Sequence, residues 1–172
     1  MRWLLIVVGV VVAAVVAVVV IGMTLPQSHT AARTAYLPAA PDSVWNLITA
    51  VERYPSWRKD VTAVEPVRGT PALTWRETAG GDRITYEATT VERPSHFVTR
   101  IADEGLPFGG SWDYRLEPEG QGTTVTITEN GEVYNPLFRF VSRYIMGHTA
   151  SIDRYLSALA ARTGGKYVPD AN

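Results

Sequence analysis

The chain has 172 residues, with 16 Lys and Arg against 17 Asp and Glu and a formal net charge of −1, which excludes the broad basic footprint of a nucleic-acid binder. It contains no cysteine, so disulfides and thiolate chemistry are excluded too. No repeat of about 20–50 residues is visible, which excludes a solenoid or propeller.

The first element is apolar throughout. From Trp3 to Leu25 there is no charged side chain, and Val, Ala, Leu and Ile dominate. About 20 apolar helical residues cross a bilayer core, so this run spans with some tilt. It exceeds the roughly 7–15 apolar residues of a cleaved signal peptide and lacks a good small-x-small site at its end. Residues 1–26 are therefore expected to be an uncleaved transmembrane anchor, with Trp3 at the interface. Arg2 precedes the span and Arg33 is the first fixed charge after it, so a single-pass, N-inside topology with the domain extracytoplasmic is expected.

Residues 27–32 read as a short polar linker and 33–164 as one domain, roughly 130 residues with a single core. Residues 165–172 form a C-terminal tail. Arg33–Leu37 suits a first strand. Pro41 suits the first position of a helix, Asp42 complements its dipole, and Val44, Leu47, Ile48 and Val51 fall on one face. Pro55 ends or turns that segment, with Tyr54 and Trp57 beside it.

The period then changes. Short β-rich runs at 61–67, 73–78, 83–91, 96–101, 112–116 and 123–127 are separated by glycine-rich breaks such as Gly80-Gly81 and Gly120-Gln121-Gly122, which predicts an antiparallel sheet joined by hairpins. Leu73, Trp75 and Glu77 share one face of their strand. Asn135-Pro136 opens, and Gly164-Gly165 closes, a long helix. Its apolar stripe is Leu137, Val141, Tyr144, Ile145, His148, Ile152, Tyr155, Leu156 and Leu159, with Arg139, Arg143, Asp153, Arg154 and Arg162 on a solvated or headgroup-facing side.

Chemical motifs are sparse. No histidine or cysteine spacing suits a metal, with His29 in the linker and His96 and His148 far apart, and no metal or cofactor is expected. Gly120-Gln121-Gly122 lacks the lysine of a phosphate loop, and no serine sits in a nucleophile elbow.

Ala40-Pro41-Asp42-Ser43-Val44-Trp45 with Tyr54-Pro55-Ser56-Trp57, then Pro107-Phe108-Gly109-Gly110-Ser111-Trp112 and Asn135-Pro136-Leu137-Phe138-Arg139-Phe140, occur in an order that resembles the SRPBCC superfamily. That group includes START lipid-transfer domains and polyketide cyclase/dehydrase-like proteins. The resemblance spans roughly 33–163 and implies an α+β helix-grip fold, a curved antiparallel sheet wrapped around a long C-terminal helix, with an apolar cavity between them. The N-terminal span is a departure from most of the superfamily. The superfamily has no shared catalytic motif to carry over.

Within such a cavity the expected ligand-binding side chains are Trp75, Tyr86, Trp112, Tyr114, Phe138, Val141, Tyr144, Ile145 and His148. His148 is either a packed, hydrogen-bonded histidine or an acid–base group. Glu129 shares parity with Val125 and Ile127; it points inward if the strand extends that far, or lies exposed at the Asn130-Gly131 turn. Three functions follow: membrane-tethered binding of a lipid or other hydrophobic small molecule, cyclase- or dehydratase-like acid–base catalysis using Glu129 and His148 or Tyr86, and a structural or partner-binding role with a filled interior. The expected partners are the bilayer and a hydrophobic ligand, not nucleic acid.

Overall fold

A computed structural model describes residues 1–169; the last three residues of the tail lie outside it. Helix α1 runs Arg2–Thr24, and its most apolar 18 residues have a mean hydropathy of 3.5. It is long and apolar enough to cross a membrane and most of its surface is exposed. The chain then enters β1 (Ser28–Leu37) almost at once. The sequence places a linker at 27–32; in the structure all but its first residue is strand, because His29, Ala31 and Arg33 alternate inward and pair with the end of the last strand, Ser28 opposite Glu132.

After β1 comes α2 (Pro41–Thr49), with Pro41 at its first turn and Val44, Trp45 and Ile48 buried. A 3₁₀ turn over Val51–Ser56 carries buried Val51 and Tyr54. Six strands follow: β2 (Val61–Pro66), β3 (Thr74–Ala79), β4 (Asp82–Glu92), β5 (His96–Ile101), β6 (Phe108–Glu119) and β7 (Gly122–Val133). Among the described residues these strands form one antiparallel sheet of seven, in the order β1-β7-β6-β5-β4-β3-β2. Register shifts in β2 and β4 mark bulges, which bend a strand and increase its twist.

The long terminal helix expected over 136–163 is interrupted. Asn135 caps α3 (Pro136–Val141) through its side chain, a π-helical turn covers Ser142–Met146, and α4 runs Ala150–Arg162. Gly147, at φ 74° and ψ 156°, breaks the helix between them; this left-handed region costs a side chain little only when there is none. The apolar stripe therefore divides. Ile152, Tyr155, Leu156 and Leu159 of α4 are buried against the sheet with Phe97, Tyr114, Leu116, Val125 and Ile127, whereas Leu137, Tyr144 and Ile145 are exposed.

Helix α3 packs on the end of α1 instead. A Cβ on Gly22 would lie 1.9 Å from the Pro136 carbonyl oxygen, so glycine lets the two backbones meet. Arg139, which the stripe pattern puts on the solvated face, is buried at this junction. Its guanidinium donates to the carbonyls of Val133 (2.7 Å), Tyr134 (2.9 Å), Gly22 (3.4 Å) and Leu25 (3.5 Å). Helices end with unpaired carbonyls and a partial negative charge, and a cation satisfies both.

Candidate functional site

Between the sheet and the α3–α4 segment lies a cavity of about 570 Å³, the size range of small-molecule sites. A filled interior, which a purely structural role requires, is not what the fold builds. Strands β3, β4 and β6 supply Trp75, Tyr86, Trp112 and Tyr114 to the lining, and Phe138 and His148 come from the α3–α4 segment. Glu129 also lines it: β7 runs on to Val133, so the inward of the two positions open to this carboxylate is the one adopted. Val141, Tyr144 and Ile145 are not part of the lining; the turn at Gly147 carries Tyr144 and Ile145 outward, where they are 60 % and 71 % exposed.

One end is polar, and sequence pattern did not single it out. Arg58 follows the 3₁₀ turn and places its guanidinium 3.0 Å from Glu77 and 2.8 Å from Asp60. It lies over the Tyr54 and Tyr155 rings at 5.0 and 5.2 Å, a cation–π arrangement strengthened by burial. Burial alone would favour a neutral Arg58, but Glu77 and Asp60 hold it charged. For Glu77, burial outweighs the pull of Arg58 and raises the carboxyl above its ordinary range. Burial likewise raises the phenols of Tyr54, Tyr86, Tyr114 and Tyr155, which stay neutral donors. The one sequence signal was the parity of Glu77 with Trp75, a carboxylate on a core-facing strand position.

Aromatic rings wall this end: Trp75 stacks on Tyr86 at 5.7 Å, and Tyr155 receives Trp57, Trp112 and Tyr114 at 5.5–5.8 Å. The Trp75 indole interacts with the Glu77 carboxyl, and Arg58 Nε is buried without a hydrogen-bond partner among the described residues.

The other end borders the α3–α4 segment. His29 lies over Gly131, where a Cβ would be 2.3 Å from its ring, and stacks on His148 at 3.9 Å. Glu129 accepts from Ser151 at 2.9 Å and lies 3.4 Å from His29. Burial, then the neighbouring His29 and Arg143, hold the His148 imidazole below its ordinary range. His148 also lies 3.3 Å from the Ser142 hydroxyl and is part of the lining.

The sequence profile of the family described as polyketide cyclase / dehydrase and lipid transport matches residues 28–163. None of the curated protein sequences compared with the chain matches it. Among solved structures, a Thermus thermophilus protein superposes with a TM-score of 0.65 at 21 % identity, covering 78 % of this chain and 97 % of that one. A START superfamily protein from Mycobacterium smegmatis gives 0.59 at 15 %, covering 79 % and 97 %. A Thalictrum norcoclaurine synthase variant, solved with a transition-state analogue, gives 0.61 at 12 %, covering 79 % and 94 %. At these identities the likeness is one of fold.

Proposed function

The chain belongs to the polyketide cyclase/dehydrase and lipid-transport family, and from that premise we propose that it is a membrane-tethered SRPBCC domain that holds one lipid or other hydrophobic small molecule between its sheet and its C-terminal helices. The observation that carries this is the cavity of about 570 Å³, apolar and aromatic along its walls. Helix α1 is the tether, and the charge pattern around it favours the extracytoplasmic side for the domain. The polar side chains of Arg58, Asp60 and Glu77 in the lining favour a ligand with a polar group, such as a carboxylate or carbonyl, at one end.

The test uses the two tryptophans of the lining. Lipophilic acids titrated into the detergent-solubilised full chain are expected to quench Trp75 and Trp112 saturably, and Ser111→Phe, which fills the cavity wall, to weaken binding at least ~10-fold. Equal quenching of both proteins would place the ligand elsewhere.

Glu77 favours a second function, acid–base catalysis of the cyclase or dehydratase type. A carboxyl whose proton affinity is raised by burial, beside a neutral Tyr86 phenol and a fixed cation, is a combination that proton transfer uses. If the domain turns over a bound substrate, Glu77→Gln retains binding and loses ~10²–10⁴-fold in rate.

A further inference from the structure

The junction of α1 with α3 fixes where the α3 side of the cavity sits. Gly22 belongs to the last turn of α1, and there the backbone of Pro136 lies against it, with Arg139 tying both elements together. A 23-residue helix is about 35 Å long, so its last turn lies at the edge of the hydrocarbon layer it crosses. Helix α3 and the π turn therefore begin at that depth. Their outward side carries Leu137, Phe138, Tyr144 and Ile145, each 43–71 % exposed, with Arg143 beside them. The helix that begins this apolar patch packs on α1, whose own apolar side chains are exposed.

The same segment borders the cavity. Phe138 is half exposed and also lines the cavity, and Ser142, Gly147 and His148 continue the rim. The starts of β1 and β6 and the end of β7 close it, Ser28 pairing with Glu132 and Phe108 with Val133, so the rim is the end of the sheet nearest α1. The β6–β7 hairpin lies at the opposite end, roughly 30 Å away at ~3.3 Å per residue.

We infer that the face formed by Leu137, Phe138, Tyr144 and Ile145 is seated in the interfacial layer of the bilayer, so that the cavity opens on lipid and exchanges its ligand with the membrane without passing through bulk water. Aromatic and aliphatic side chains with a neighbouring arginine have the chemistry of an interfacial anchor. A protein partner would have to displace lipid from a patch that the span already holds against the membrane. The inference rests on α1 being a membrane span.

Because the chain has no cysteine, single labels report position cleanly. Ile145→Cys, Phe138→Cys and Gln121→Cys in the full chain are each given an environment-sensitive fluorophore and reconstituted in phosphatidylcholine vesicles, with Val12→Cys as the marker of the span. The expected result is strong quenching at 145 and 138 by lipids doxylated high on the acyl chain, weak quenching there by aqueous iodide, and the reverse at 121. Labels at 145 and 138 open to iodide while that at 12 is shielded would overturn the inference and leave the tether intact. Shielding of 145 and 138 from both quenchers would also overturn it, since a second copy of the chain would then cover the patch. All four labels open to iodide would mean that the tether itself has failed. Leu137→Cys gives the same readout should Phe138→Cys fail to fold.

Discussion

Arg58 is the cation on which the polar end of the cavity depends. Its removal leaves Glu77 and Asp60 without their cation, and Glu77 is 7 % exposed. Arg58→Ala is expected to cost about 3–5 kcal/mol in chemical denaturation, far more than loss of the exposed Arg83–Glu65 pair, at about 0–1 kcal/mol. The folded chain raises the Glu77 carboxyl above its ordinary 4.5, so its contribution is fully present below 4.5 and is lost as pH rises through the raised value. Glu77→Gln removes that slope, and its stability relative to wild type is expected to increase with pH above ~4.5. His148 has the opposite sign. Its imidazole is held below the ordinary 6.5, so stability is full above 6.5 and is lost as pH falls through the depressed value. His148→Phe should flatten the melting-temperature profile below pH ~6.5. A flat wild-type profile there would contradict the stacked, partly buried geometry at the α3–α4 end of the cavity. Trp75, Tyr86, Trp112 and Tyr114 were legible as lining because strand alternation marks one face. Arg58 and Asp60 were not, because they follow a 3₁₀ turn whose irregular period gives no inward face, and His29 was hidden in a segment whose short polar residues suggest a linker.

At the scale of elements, the strands, α2 and the C-terminal α4 were readable from periodicity and turn residues, and their antiparallel pairing from the glycine-rich breaks. The break at Gly147 was not. Three–four spacing continues on both sides of it, and a residue that needs φ 74° cannot be told from an ordinary helical glycine until its neighbours are seen. Gly147→Ala forces a Cβ into that region and is expected to destabilise the α3–α4 segment by about 1–2 kcal/mol, seen as faster hydrogen exchange over 136–148. The docking of α3 on α1 depends on backbone contact rather than side-chain pattern. Arg139→Met strands the carbonyls of Val133 and Tyr134 and is expected to cost about 2–4 kcal/mol and to expose 25–27 to limited proteolysis. Unchanged proteolysis would mean that α1 and α3 move independently.

The whole molecule, over its described residues, is one seven-stranded sheet with its helices, preceded by one long apolar helix. The helix-grip fold follows from the sheet order, the terminal helices and the family to which residues 28–163 belong. The proposed tether rests on the length and composition of α1, and the full chain is expected to stay with the membrane under alkaline carbonate extraction; release into the supernatant would contradict an anchor. The hollow beneath α4 is what separates a carrier from a merely anchored domain, since α4 covers the sheet with Ile152, Tyr155, Leu156 and Leu159 yet leaves about 570 Å³ open toward α3. Native mass spectrometry of the full chain, released from lipid nanodiscs at rising collision energy, tests this most directly. One tightly held hydrophobic adduct per chain in the wild type, absent from Ser111→Phe, is the predicted result. A wild-type chain that sheds every adduct as readily as Ser111→Phe does would contradict it.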